Sequence, residues 1–250
     1  KFITVDYAAM ELRVLAHIAK EGNMQTAFNN GEDLHTYTAR MLFNKQSISK
    51  GERQISKAVS FLIVYGGGAF NLAETTGISL PRAKKIIANY KNVYPGIFEY
   101  MKFVNSYIKT NKYAYTIFGR RRNLPNVESK DFKVVNRALR QGLNFTIQST
   151  ASDILLCGLL GAYRRLREEG VEAYPVATVH DSIEVICKDD QVEKCLEILY
   201  DELVNYPFVK DNFNIHFDVP LAIDAEVGSS FGDGKPVEFK NGKPQLCDFY

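Results

Sequence analysis

The sequence has no tryptophan and only four cysteines in 250 residues, at positions 157, 187, 195 and 247, and no two of them have CxxC spacing. That pattern gives no support to a zinc cluster or a disulfide framework, and a reducing interior is the default compartment. Long apolar runs are also missing. The uncharged stretch 154–163 falls well short of the roughly 20 residues that a membrane span needs, and the N-terminus lacks a charged-then-apolar leader pattern, so no membrane partner is expected. Charge of one sign is lacking too, because 31 Lys and Arg face 29 Asp and Glu, for a net +2. Any basic site must therefore be local. There is no internal repeat and no low-complexity segment. The chain opens on Lys1 rather than Met, which suggests a processed or partial polypeptide.

What is present suits a packed core, with 46% hydrophobic residues. Phe2 to Val5 reads as a strand delivering Asp6, and Glu11 to Ala19 carries helical spacing. From Gly22 to about Lys112 the pattern is mainly helical, punctuated by Gly31, the glycines at 66–68, Gly77 with Pro81, and Pro95-Gly96. A basic turn, "FGRRRNLP", leads into helices from Phe132 to Arg167. Strand patterns then return at Val176–Val179 and Ile183–Ile186, and as a period of two from Phe217 to Val227 in which Pro220 argues for an edge. Asn241-Gly242 suits a small hairpin near the end. The fold class expected is α+β, a sheet built from both ends of the chain around a helical insertion.

Two features carry chemistry. "VATVHDSIEVI" places Asp181 at a bend between two apolar strands, where the plain reading is a tight turn. The sharper reading joins it to Asp6, since two carboxylates at strand ends can hold divalent cations. In "SKGERQISKAVSFLIVYGGG", Ser49 and Glu52 form a capping box that starts a helix, and the glycines end it. Arg53, Lys57, Phe61 and Tyr65 then recur every fourth residue in one slanting stripe, opposite Ile55, Val59, Leu62 and Ile63. A solvated surface helix would explain the stripe. Cations near a helix N-terminus are unfavourable, however, and a phosphate bound there would reverse that cost while the rings faced a base.

At these residues the sequence resembles the family A DNA polymerases of the bacterial DNA polymerase I type. "DYAAMELR" (6–13) resembles the first palm motif, "RQISKAVSFLIVYGG" (53–67) the R-x3-K-x6-YG helix, and "VHDS" (179–182) the second palm carboxylate motif. "EDLHTYTA", "TIFGRRRNLP" and "NFTIQSTASDI" match in the same order, so the resemblance runs to about Gly232.

The resemblance implies a right-hand polymerase palm, an antiparallel sheet with helices, and an inserted, mainly helical fingers subdomain. Palm would occupy 1–19 and 126–232, fingers 20–125, and a C-terminal tail 233–250. Asp6, Asp181 and the Tyr7 backbone carbonyl would hold two Mg²⁺ ions, with Mn²⁺ as a substitute. Arg53, Lys57 and His35 would grip the triphosphate, Lys57 also donating a proton to pyrophosphate. Phe61 would face the sugar, Tyr65 the template-base site, and Glu11 would gate against a 2′-hydroxyl. Arg140, Asn144, Gln148 and His180 would touch primer and template, and Arg120, Arg121 and Arg122 would contact phosphates. The partners implied are primer-template DNA, dNTPs, and an upstream segment or second polypeptide carrying a thumb and a 3′–5′ exonuclease. The setting implied is bacterial or phage-infected cytoplasm, or an organelle.

Two departures stand out. The family usually has an acidic residue where Ser182 stands, leaving one negative charge missing beside the metals, and Ser-Gln where this chain has Ala8-Ala9. Two other readings are a single-subunit RNA polymerase, against which Glu11 speaks, and a catalytically degenerate nucleic-acid-binding subunit, against which the intact Asp6, Asp181, Arg53 and Lys57 speak.

Overall fold

A computed structural model describes residues 1–246; Cys247 and the rest of the tail segment lie outside the described residues. In chain order, strand β1 (Phe2–Tyr7) leads into helices α1 (Met10–Ile18), α2 (Gly22–Asn29), α3 (Leu34–Phe43), α4 (Lys50–Val64), α5 (Ala69–Thr76), α6 (Leu80–Val93) and α7 (Pro95–Asn111). A short hairpin, β2 (Tyr113–Tyr115) and β3 (Arg121–Asn123), precedes α8 (Phe132–Asn144), a π-helical turn at Phe145–Ser149, and α9 (Thr150–Glu168). The chain closes with β4 (Ala173–Val179), β5 (Ser182–Cys187), α10 (Val192–Tyr200), α11 (Pro207–Phe213), β6 (Ile223–Gly228), β7 (Lys235–Lys240) and β8 (Lys243–Gln245). Contacts divide it into two compact units, one of Lys1–Met10 with Ala151 onward and one of Glu11–Thr150.

The first unit is a six-stranded antiparallel sheet in the order β4-β5-β1-β6-β7-β8. Strand alternation gives β1 two faces. Ile3, Val5 and Tyr7 are buried beside Ile183, Val185, Ala225 and Val227 of its neighbours, while Asp6 is exposed. The Tyr7 hydroxyl donates to the Leu203 carbonyl at 3.0 Å. Burial pushes that phenol upward, which keeps it a donor.

The period-two stretch from Phe217 is strand only from Ile223, and β6 is an internal strand rather than an edge. The register explains the difference. Tyr7 pairs with Ile223 and β1 ends there, so the ladder with β1 starts at Ile223, while Val219 and Leu221 before it bury their side chains. At the other end Asn241 and Gly242, at φ 52° and 78°, make the expected tight turn between β7 and β8.

The second unit is mainly helical. Its core includes Val104 and Ile108 of α7, Ala114, Leu124, and Ala138, Leu139 and Leu143 of α8. At Gly142 an added Cβ would meet Ile108 Cδ1 at 2.4 Å, so glycine sets how closely these helices approach. The helical run Phe132–Glu168 is long and apolar enough to cross a membrane by length and composition, which a search for uncharged runs alone overlooks. However, 56% of its most apolar window is buried within the protein, as for a core helix.

Candidate active site

In the first unit the carboxylates collect where β1, β5 and β6 run side by side. Asp6 pairs in register with Ser182 on one side and Asp224 on the other. Residues directly opposite one another point to the same face, so one row across the sheet reads Ser182, Asp6, Asp224. The turn between β4 and β5 adds Asp181. His180 takes its positive-φ position at φ 57°, Val179 pairs with Ser182, and the Asp181 carbonyl accepts from the Tyr7 amide at 3.2 Å.

Desolvation by the surrounding strands comes first in pushing the Asp6 carboxyl up to about 6. The charge of Asp181, a side-chain hydrogen bond to it, and the charge of Asp224 add to the rise. The plain turn reading of Asp181 is thus only half of what it does, because the turn also presses one carboxylate against another. A divalent cation relieves such repulsion, and carboxylate oxygens are the hard donors that Mg²⁺ prefers. Among the described residues no group of three or more His, Cys, Asp or Glu is placed to hold a metal ion by side chains alone.

In the second unit, α4 begins at the capping box: the Ser49 Oγ accepts from the Glu52 amide, and the Glu52 carboxylate accepts from the Ser49 amide at 3.0 Å. Val59 and Ile63 are buried, whereas Arg53, Lys57 and Tyr65 are exposed and Phe61 is half-buried. From Arg53 to Tyr65 is about 18 Å along the axis. The Arg53 guanidinium makes two 2.8 Å bonds to Asp33, which also caps α3 through the Thr36 amide. This pairing holds the Asp33 carboxyl well below the usual carboxylate range. Farther along, the Phe61 ring lies 6.0 Å from that of His35. Burial lowers the imidazole from its ordinary value, and its Nδ1 is buried without a hydrogen-bond partner. At the last turn Tyr65 Oη donates to Glu11 Oε2 at 3.0 Å, and Gln148 Nε2 donates to Glu11 Oε1 at 3.1 Å. Arg53, Lys57, Phe61 and Tyr65 thus follow one another along α4 and its cap, with His35 beside Phe61 and with Glu11 and Gln148 bonded at the Tyr65 end.

The remaining candidates in this unit form a basic border. Arg120 and Arg122 lie 5.5 and 5.9 Å from the centre of the Phe145 ring, and Arg121 lies 4.8 Å from that of Tyr113. Arg120 also donates to the Ser149 carbonyl at 3.0 Å, which ties that guanidinium to the π-helical turn. Arg140 is exposed, its aliphatic stem against Gly66. Asn144, the last residue of α8, has a buried Oδ1 with no hydrogen-bond partner. The π-helical turn that follows carries Gln148 on its exposed side. His180 is exposed in the first unit.

Three acidic residues were not singled out from sequence. Asp224 was visible only as one polar position in an alternating strand. Asp33 had no signal beyond its place beside His35. Glu184 lies within the strand pattern Ile183–Ile186, and it is buried at 2% exposure and accepts from Ser182 and Thr4 hydroxyls at 2.7 and 2.6 Å.

The profile of DNA polymerase family A matches residues 1–233. The chain is 32% identical over 239 residues to DNA polymerase I of Chloroflexus aurantiacus, covering 95% of this chain and 24% of that protein. Against DNA polymerase I of Bacillus caldotenax it is 34% identical over 232 residues, covering 92% and 26%. Among solved structures, the POL domain of Pol1 from M. smegmatis, in complex with DNA primer-template and dNTP, superposes with a TM-score of 0.84 at 28% identity, covering 92% of this chain and 39% of that one. The chain thus spans about a quarter of the length of these curated relatives. With the family profile matched over nearly all its length, this chain belongs to DNA polymerase family A.

Proposed function

We propose that this chain is the fingers-and-palm portion of a template-directed DNA polymerase, which joins a dNTP to a primer 3′-hydroxyl and releases pyrophosphate. The observation that carries the reading is the Asp6 carboxyl beside that of Asp181, whose hydrogen bond and charge add to the desolvation that pushes Asp6 up to about 6. On this reading 1–19 and 126–232 serve as palm, 20–125 as fingers, and 233–250 as a tail. Asp6, Asp181 and the Tyr7 carbonyl would hold Mg²⁺, with Mn²⁺ as a substitute. A pair of such ions supplies charge neutralisation for the attacking and leaving oxygens of a phosphoryl transfer.

The protein's own side chains do the positioning. Arg53 exchanges Asp33 for a phosphate, which offers the same bidentate geometry. Lys57 lies one turn farther along the same stripe, where it steadies the triphosphate and gives a proton to the departing pyrophosphate. His35 donates from its buried ring, and Phe61 beside it packs on the sugar. Glu11, fixed by Tyr65 and Gln148, fills the space a 2′-hydroxyl would need. Gln148 and Asn144 suit the minor groove, where acceptors common to every base pair allow geometry to be checked without reading sequence. Arg140 and His180 would touch primer and template, and Arg120 to Arg122 the backbone phosphates.

The first unit exposes Tyr174, Val176, Ile186 and Phe231 by 49–66%. Apolar surface of this kind supports an association with further polypeptide, upstream or separate, carrying the thumb.

The test is primer extension with this chain supplied with its upstream sequence, in Mg²⁺ and in Ca²⁺. Extension in Mg²⁺, with nucleotide binding but no extension in Ca²⁺, supports an active polymerase. Binding without extension in either ion identifies a non-catalytic subunit.

A further inference from the structure

The sequence lacks an acidic side chain at Ser182, yet the strand that carries Ser182 buries a carboxylate two residues on. In the register of β1 and β5, Asp6 faces Ser182 and Thr4 faces Glu184, so all four side chains share one face of the sheet. Ser182 Oγ lies 2.7 Å from Glu184 Oε1, and Thr4 Oγ1 lies 2.6 Å from Glu184 Oε2. Ser182 itself is 7% exposed and Glu184 2%.

Burying a carboxylate is costly, and a sheet of this kind could fill the position with Val or Ile at no such cost. Both hydrogen-bond partners found here are neutral hydroxyls, so neither compensates the charge. Successive residues on one face of a strand lie about 7 Å apart, which puts Glu184 one rung from the Asp6 row. Screening is weak for buried groups, so a charge at that range acts on a cation held at the row.

We propose that Glu184 is the carboxylate displaced from position 182: a positioning residue that strengthens divalent-cation binding at Asp6 and Asp181 without touching the ion, and orients the Ser182 end of the row through its two hydroxyl contacts. The inference rests on the metal-binding role given to Asp6 and Asp181 above. It also changes what a charge at position 182 would do. Glutamate introduced there alone would stand against Glu184 in a buried site, so it should not simply add to metal affinity.

The test is a direct Mn²⁺ titration by electron paramagnetic resonance, without DNA or nucleotide. It compares the unaltered protein, Glu184→Gln, Asp6→Asn, and the relocated pair Ser182→Glu with Glu184→Val. Glu184→Gln keeps the shape and removes the charge, and should weaken Mn²⁺ binding about five- to tenfold. Moving the charge back to position 182 should restore affinity to within about twofold, on the same Coulombic reasoning. A role confined to bridging β1 and β5 would not be rescued by relocation. Unchanged Mn²⁺ affinity in Glu184→Gln, or a relocated pair that binds as weakly as that variant, overturns the proposal. Should Glu184→Gln not fold, as read by circular dichroism, the relocated pair decides alone: affinity like that of the unaltered protein upholds it, and loss overturns it. Unchanged affinity in Asp6→Asn would overturn the metal-site reading itself, and this inference with it. Loss in Asp6→Asn with none in Glu184→Gln overturns only the inference.

Discussion

Tyr65 Oη and Glu11 Oε2 are joined by a 3.0 Å hydrogen bond, and Gln148 holds the other oxygen of the same carboxylate. A flexible side chain is thereby fixed in one position, which is what a steric gate requires. Glu11→Ala should relax discrimination against ribonucleotides by about 10- to 100-fold, the scale on which a pocket separates substrates by one small group. The measurement is the ratio of incorporation efficiencies for matched ribo- and deoxyribonucleotides. Equal ratios in the two proteins would remove the gate role from Glu11.

Asp33 and Arg53 pair bidentately at 2.8 Å while both keep over 40% side-chain exposure. Such a pair contributes only about 0–1 kcal/mol. Asp33→Asn keeps an oxygen to cap α3 but releases the guanidinium, so stability should change by less than about 1 kcal/mol. Affinity for a nucleoside triphosphate should rise about threefold or more, the competing carboxylate being gone. Fluorescence titration with dNTP reads the effect. Weaker binding would mean that Asp33 holds Arg53 in its working position instead.

Desolvation, with the charge of Asp181 beside it, pushes the Asp6 carboxyl up to about 6 in the folded protein from 3.8 for an ordinary aspartate. A raised folded value means that the folded state holds the proton more tightly, so stability falls as pH rises from about 4 to about 6. Asp6→Asn should therefore raise the melting temperature above pH 6.5 without divalent metal, and the gain should vanish near pH 4. Cations compete with the same proton, so Mg²⁺ binding should weaken as pH drops below about 6. A pH-independent difference in melting temperature would contradict this origin of the shift.

The features legible in the sequence are local ones. Ser49 and Glu52 announce the start of α4 because a capping box is written in four consecutive residues, and Val59 and Ile63 announce its buried face by spacing alone. Asp6 and Asp181 are each recognisable as carboxylates at strand ends. That Asp6 stands between Ser182 and Asp224 is not, because cross-strand neighbours depend on a register set by residues far apart in the chain. Glu184 lies in a strand pattern, and only the fold supplies its two hydroxyl partners, Ser182 and Thr4. The same limit explains Pro220, which suggests an edge strand until the register shows that the ladder between β1 and β6 starts only at Ile223.

Gly66 follows Tyr65 at φ +69°, and a Cβ there would meet Arg140 Cγ and Cδ at 2.8 Å. Gly66→Ala should destabilise the protein by about 1–2 kcal/mol through the left-handed backbone. It should also push the Arg140 stem aside and weaken primer-template binding. Denaturant unfolding with a DNA-binding titration separates the two effects, and an unchanged midpoint would show that the turn after α4 relaxes freely.

The central claim is that Asp6 and Asp181 together hold the ions that drive nucleotide addition, and single-nucleotide incorporation in Mg²⁺ by Asp6→Ala and Asp181→Ala tests it most directly. In the chain supplied with its upstream sequence, each variant should keep the fold by circular dichroism and lose incorporation by about 10³-fold or more, since the transition-state charge then has no other partner. Near-normal extension by either variant would contradict the account.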